Sequence, residues 1–376
     1  MKIVSVVGAR PNFMKIAPLV RELQRRRAAG AAIEHLLVHT GQHYDATMSD
    51  TFFAELGIPA PDYHLGIGSG THAEQVGRTM IEFEKVLRAT RPDWVVVVGD
   101  VNATCAGAIT AKKEQVKLAH IEAGLRSNDG SMPEEINRLV TDRLTDLFFT
   151  TDRFADANLR AEGVPEARIR QVGNIMIDTL EAERPAAAAL DLQEIVIRQS
   201  GGAAAPRLVP GNFAFMTLHR PGNVDDPGAL RHILDFVHRV AHAMPVLWTL
   251  HPRTRERLRE FGLLELVAGC PGLILLEPLG YREMLKINLE ARLALTDSGG
   301  LQEECCVLGT PCLTLRPCTE RPVTLLENGG VSILTGNAPD RLRAGLAQAL
   351  EMPRRPFRPP LWDGQAAPRI VDALLG

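Results

Sequence analysis

The chain has 376 residues, 45% of them apolar, and a formal charge of −3. That length exceeds what one ordinary core organises and suits two domains. The near-neutral charge points away from nucleic acid or a membrane surface as partner. No apolar run approaches the roughly eighteen residues of a membrane span, and the apolar part of MKIVSVVGARPNF is too short for a secretory signal, so a cytoplasmic protein is expected.

From the N-terminus, short apolar strands alternate with helical patterns. KIVSVV (Lys2–Val7) reads as a buried strand, and after the turn at Gly8–Asn12 the residues Phe13, Ile16, Ala17, Val20 and Leu23 recur at helical spacing. IEHLLVHTG is a second strand. GIGSG (Gly66–Gly70) imitates a dinucleotide fingerprint, but it follows PDYHL in what reads as a connection and opens no helical pattern, so it is taken as a loop and NAD is disfavoured. DWVVVVGD (Asp93–Asp100) is the continuous β-branched run of a strand buried on both faces of a parallel sheet. A helix from about Ala103 to Lys113 leads to KLAHIEAG, and DLFFTTD and IRQVGN complete the first half.

Between Ala186 and Pro210 the composition shifts towards Ala, Gly, Gln and Pro, and the linker is placed around Gly173–Pro210, with a helix expected in its first part. The alternation then restarts with NFAFMTLHR, a helix around Ala229–Ala243, PVLWTLHPR, GLILLEPL, ARLALTDSGG and TPCLTLR. The expected fold class is α/β, with two Rossmann-like doubly wound domains facing across a cleft. The first would span 1–172, joined by a C-terminal helix at 363–376, and the second 173–362. The six cysteines form no CxxC pair, and Cys305 and Cys306 fall within a helical pattern, so buried reduced thiols are expected and no metal site.

In such sheets, ligands sit beyond the carboxyl ends of the strands. Arg10, Asp100, Glu122, His219, His251 and the DSGG turn (Asp297–Gly300) all occupy strand ends. One such residue could simply cap a turn; six polar strand ends suggest a site. In LTDSGGLQEECCVLG a strand ends, small residues turn the chain and a helix starts near Gly300. Its free N–H groups and dipole favour a phosphate or diphosphate. Gly299 and Gly300 permit close approach, Ser298 adds a hydroxyl, and Glu304 one turn later suits a ribose diol. Arg321 in TERP offers a further phosphate partner. GxxxxGK[ST] is missing, so ATP hydrolysis is not expected. AHIEAGLRSNDGSMPEEINR gathers Glu122, Asp129, Glu134 and Glu135 near the end of an apolar strand. Together these residues point to a nucleoside diphosphate whose attached group meets carboxylates, which suggests a nucleotide sugar.

The motifs GARPNFMKIAPL, TGQHYD, GDVNAT, HIEAGLRS, PEEINRLVTD, VGNIMID, HRPGN, TDSGGLQEE, LGTPCLTLR and TERP occur in the order found in the bacterial non-hydrolysing UDP-N-acetylglucosamine 2-epimerases, which the chain resembles from Gly8 to about Pro322. The resemblance implies the GT-B architecture and reversible C2 epimerisation of UDP-GlcNAc and UDP-ManNAc. The route would be elimination of UDP to 2-acetamidoglucal and its re-addition, without cofactor or metal. By resemblance, Asp100, Glu122, Glu134 and His219 are catalytic. Arg10, Lys15, His251, Ser298, Gly299, Gly300, Glu304 and Arg321 bind UDP, Glu135 and Arg138 orient their loop, and the protein is a homodimer. Inverting C2 requires proton transfer at both faces, hence more than one acid–base group. Crowded carboxylates in a dry cleft would also raise one another's pKa.

Some segments depart from the family pattern. Many members read GTRPE, QHREM and HRREN where this chain has GARPN, QHYDA and HRPGN. Pro221 and Gly222 remove a charged pair from a segment that, in the resembling enzymes, helps to form an activating UDP-GlcNAc site. Weak or absent activation is therefore expected, and a diacetamido or uronic sugar is an alternative substrate. A hydrolysing relative, a GT-B glycosyltransferase and a non-catalytic sensor are competing readings. Three acids around the sugar exceed what a transferase needs, and a sensor would not need Asp100, Glu122, Glu134 and His219 together.

Overall fold

A computed structural model describes residues 1–41, 53, 55–201 and 206–376; the Arg10 side chain and residues 42–52, 54 and 202–205 lie outside the described residues. The chain divides into two compact units, Met1–Ala182 with Pro359–Gly376, and Glu183–Arg358. The sequence reading placed these divisions at 172/173 and 362/363. The helix Ile175–Ala188 carries the chain across the first division, and Leu192–Gln199 is a second helix within the expected linker.

The first unit contains β1 (Lys2–Val7), β2 (Glu34–His39), β3 (Tyr63–His64), β4 (Trp94–Val98), β5 (Lys117–Ala123), β6 (Leu147–Thr150) and β7 (Ile169–Gln171). They form a parallel sheet in the order β3-β2-β1-β4-β5-β6-β7. Val95, Val96, Val97 and Val98 are all fully buried, as a central strand covered on both faces requires. Each such side chain contributes about 1.5–3 kcal/mol of burial. Val95 and Val97 pack with Val4, Val6, Val38, Phe83 and Leu118.

The reading of GIGSG is corrected in part. A short strand, β3, precedes it, and a helix, His72–Thr90, follows it. That helix starts with a capping box in which Thr71 and Glu74 bond reciprocally. Its buried Thr79, Phe83, Val86, Leu87 and Thr90 sit at helical spacing that the sequence reading passed over. Nevertheless β3 is an edge strand, away from the order reversal between β1 and β4.

In the second unit, β8 (Ala214–Thr217), β9 (Val246–Thr249), β10 (Leu273–Leu276), β11 (Leu293–Thr296), β12 (Cys312–Thr314) and β13 (Ser332–Leu334) form a parallel sheet ordered β10-β9-β8-β11-β12-β13. Met216, Trp248 and Leu295 bury into a cluster on one face, and Phe215, Leu247 and Ala294 into a cluster on the other. Here the order reverses between β8 and β11. The described cysteines are free thiols; Cys305, Cys306 and Cys312 are buried, and burial pushes the Cys306 thiol up to about 12. No helix among the described residues is long and apolar enough to cross a membrane.

Candidate active site

Reversal of strand order leaves a crevice between two neighbouring strands at their carboxyl ends. In the first unit the crevice lies past β1 and β4, where the chain continues into Gly8–Asn12 and into Gly99–Asp100. The helix Arg10–Ala28 opens with Pro11 in its first turn. Asn12 accepts hydrogen bonds from the Gly8 and Ala9 amides and donates to the Val98 carbonyl at 3.0 Å, tying the two strand ends together.

Asp100 and Glu122 stand at the ends of the neighbouring strands β4 and β5, and Lys15 reaches Glu122. The buried Lys15 ammonium forms an ion pair with the Glu122 carboxylate. Asp100 is half-buried and accepts from Arg138 at 2.5 Å, and Arg138 is itself only 1% exposed. Arg138 also donates to Glu135 at 2.6 and 2.9 Å. Burial pushes the Glu135 carboxyl up, but the Ser127 amide and the Arg138 guanidinium outweigh it and hold the group below the usual carboxylate range. Glu134 lies half-buried in the first turn of the helix Pro133–Leu144, which also carries Arg138. The expected crowding of carboxylates thus takes a different form, in which Asp100 and Glu122 each face a buried cation. Lys15, assigned to UDP by resemblance, sits on Glu122, and Arg138, assigned to loop orientation, reaches Asp100 itself.

Glu122 has a left-handed backbone, φ +70°, and the pairing of β5 with β6 shifts register between Ile121 and Ala123. A bulge of this kind re-aims a side chain away from the regular alternation of its strand. Such a backbone is costly for a non-glycine residue, by about 1–3 kcal/mol.

In the second unit the reversal lies between the ends of β8 and β11, and His219 and the DSGG turn follow those two strands. Fully buried Asp297 joins them. It accepts from the His219 amide at 3.0 Å, the Arg220 amide at 2.8 Å and Asn223 Nδ2 at 3.1 Å, and lies 3.0 Å from His219 Nδ1. Burial works against its charge, yet the His219 ring and these donors hold its pKa below the usual range. A carboxylate only accepts, so the proton of this contact sits on His219 Nδ1. The His219 and His251 rings are neighbours, with centroids 5.6 Å apart, and His251 Nδ1 caps the helix Pro252–Glu260.

Ser298 is the N-cap of the helix Gly299–Leu308, and its side chain makes no capping bond. Gly299 has no room for a Cβ, which would lie 2.7 Å from Glu320 Oε1 and 3.1 Å from Arg321 Cζ. Arg321 therefore lies beside this helix start. It is buried and donates to Glu303 at 2.8 Å and to Glu320 at 2.7 Å, so two carboxylates balance it. Glu304 is buried on the same helix. The Arg10 side chain and the QHYDA segment lie outside the described residues.

The sequence profile of the UDP-N-acetylglucosamine 2-epimerases matches residues 24–375. The chain belongs to this family. A 2-epimerase of the same name from Methanocaldococcus jannaschii is 39% identical over 380 residues, covering all of this chain and 99% of the relative. A UDP-2,3-diacetamido-2,3-dideoxy-D-glucuronate 2-epimerase from Pseudomonas aeruginosa is 38% identical over 382 residues, with the same coverage. The crystal structure of the M. jannaschii UDP-GlcNAc 2-epimerase, in complex with UDP-GlcNAc and UDP, aligns with a TM-score of 0.90 at 38% identity, covering all of this chain and 99% of that one. The fold is accordingly that of GT-B-type 2-epimerases, and the chain is an epimerase by family.

Sequence reasoning quoted Asp297 without giving it a role, and left Asn12 unassigned. Asp297 had half a signal, an acid at a strand end, but its histidine partner lies on a strand that is a neighbour only in the folded sheet. Asn12 had none, because its partners lie in a distant strand.

Proposed function

We propose that the protein interconverts UDP-N-acetylglucosamine and UDP-N-acetylmannosamine reversibly, by eliminating UDP and adding it back. In this reading Asp100, Glu122 and Glu134 carry protons to and from C2. One group removes the C2 proton as the C1–oxygen bond breaks, giving 2-acetamidoglucal and UDP. On return, C2 takes a proton on its opposite face as the diphosphate oxygen re-forms the bond to C1. C2 begins and ends at the same oxidation level, so the route calls for no hydride carrier. His219, held through Nδ1, contacts or protonates the leaving diphosphate. His251 and the Ser298–Gly300 helix start receive its charge, and Glu304 takes the ribose. Arg10 completes the UDP set by resemblance, and Lys15 and Arg321 act through the carboxylates they pair with.

What carries this reading is the pair of strand-end acids, Asp100 and Glu122, each set against a buried cation, in a chain that matches 2-epimerases along its whole length. The test is proton NMR of purified protein with UDP-GlcNAc in D2O. The expected product is UDP-ManNAc deuterated at C2. Free UDP with ManNAc would mean hydrolysis, and a C2 that stays protiated would reject the proposal. Asp100→Asn and Glu122→Gln should each slow exchange about 100-fold or more while UDP still binds.

A second reading, an epimerase of a UDP-diacetamido uronate, is favoured by the full-length P. aeruginosa relative. The same assay with that substrate decides by the ratio of kcat/KM values. We further infer that Pro221 and Gly222 leave activation weak, so the UDP-ManNAc rate curve is hyperbolic and indifferent to trace UDP-GlcNAc. A cytoplasmic homodimer completes the proposal, with sedimentation equilibrium as the check on the dimer.

A further inference from the structure

Below the proposed carboxylates lies a buried cluster with no role in the scheme above. His120 is fully buried in β5. Its Nδ1 lies 2.6 Å from Asp142 Oδ1 and its Nε2 lies 2.8 Å from the Gly99 carbonyl oxygen. A carbonyl oxygen only accepts, so Nε2 donates. Asp142 Oδ2 already accepts from the Gly124 amide at 3.0 Å and pairs with Arg126 Nη1 at 2.7 Å. Burial pushes the Asp142 carboxyl up, but the His120 ring and Arg126 outweigh it and hold the group below the usual range. Asp142 is therefore a carboxylate, and Nδ1 donates as well. A ring that donates from both nitrogens is an imidazolium.

The consequences reach two of the three proposed acids, Asp100 and Glu122. Gly99 has φ +69° and immediately precedes Asp100, so the direction of its carbonyl sets the peptide plane from which Asp100 projects. Glu122 lies two residues after His120 and two before Gly124. Both neighbours are tied to the same carboxylate, one to each oxygen, so Asp142 brackets the left-handed Glu122 from both sides. A strained backbone of this kind persists where its surroundings over-determine it.

We propose that His120 is a positioning residue for the proton-transfer carboxylates, an imidazolium that ties the Gly99 carbonyl ahead of Asp100 to the Asp142 carboxylate bracketing Glu122. The kinetic test rests on the epimerase reading. Asparagine places its amide where Nδ1 sits, keeping the bond to Asp142 and releasing Gly99; glutamine reaches the Nε2 position. In His120→Asn, kcat for C2 exchange should fall about 100-fold, with KM and UDP affinity near the parent values. His120→Gln should recover about tenfold of that loss. A purely structural role would lower thermal stability in both variants and leave kcat per folded molecule unchanged, which overturns the proposal. A second measurement needs neither variant to be active. In the intact parent labelled with 15N-histidine, both His120 ring nitrogens should show the chemical shift and one-bond coupling of a protonated nitrogen, the resonances being assigned by difference against His120→Gln. A single protonated nitrogen overturns the proposal. If the parent itself shows no C2 exchange, the epimerase reading fails and the ring measurement still decides the charge state on which the positioning role depends.

Discussion

Lys15 and Arg138 are the buried cations that Glu122 and Asp100 face. A buried carboxylate that loses its cation leaves an uncompensated charge, which costs roughly 3–5 kcal/mol. Lys15→Met should therefore lower the urea-unfolding free energy by about that amount, because the Glu122 side chain is 2% exposed. Adding Glu122→Gln removes the second charge and should restore part of the loss. A double variant no more stable than Lys15→Met would show that the ion pair is not what holds this corner. Arg138→Met should behave in the same direction, with C2 exchange lost as Asp100 is released. These cations were visible in the sequence as residues, but their pairings were not. Lys15 meets Glu122 across 107 positions and Arg138 meets Asp100 across 38, and no local spacing encodes either contact.

Among the structural elements, β5 carries the most consequence. Its final residues bend out of regular pairing, and Gly124, φ +80°, makes the bend possible. A Cβ at Gly124 would lie 2.5 Å from the Ala155 carbonyl oxygen and 2.9 Å from Leu159 Cγ. Gly163 has a similar φ, +83°, with nothing within 4 Å of its added Cβ. Gly163→Ala should thus lose only the left-handed strain, about 1–2 kcal/mol. Gly124→Ala should lose a further 1–3 kcal/mol or so from overpacking and also slow C2 exchange as Glu122 shifts. Equal stability losses in urea, with exchange intact in both, would contradict the assigned role of the bend. The strand itself was legible from KLAHIEAG, because an apolar run between turn signals needs no partner to be recognised. Its bulge was not, since a register shift belongs to two strands at once.

At the scale of the whole molecule, two titrating groups in the first unit oppose each other. Burial pushes the Asp178 carboxyl up to about 6, against the Ala367 and Ala366 amides it accepts from at the start of the helix Ala366–Leu375. As pH rises from about 4 to 6, the unfolded chain gives up this proton first, so stability falls with pH. Burial drives His35 the other way, down to about 4. As pH falls from 6.5 to about 4 the unfolded chain takes up that proton first, so stability rises with pH across the same window. Each effect is at most about 3 kcal/mol, and together they leave the parent nearly flat. Urea unfolding of Asp178→Asn should show stability climbing from pH 4.5 to 6.5, and His35→Gln should show it falling. Identical slopes in the two variants would refute the assignment.

Apolar periodicity and turn residues determined by themselves that this chain is a pair of parallel α/β halves, and the ordered motifs at strand ends pointed to a nucleotide-sugar epimerase. Those signals are local, because each strand, turn and helix start is written in a few consecutive residues. Only the tertiary structure decided which charges face which: Lys15 on Glu122, Arg138 on Asp100, Asp297 beneath His219, and His120 between Gly99 and Asp142. Hydrogen bonds and close ion pairs form only at contact distance, and the chain acquires those distances only when remote segments pack together.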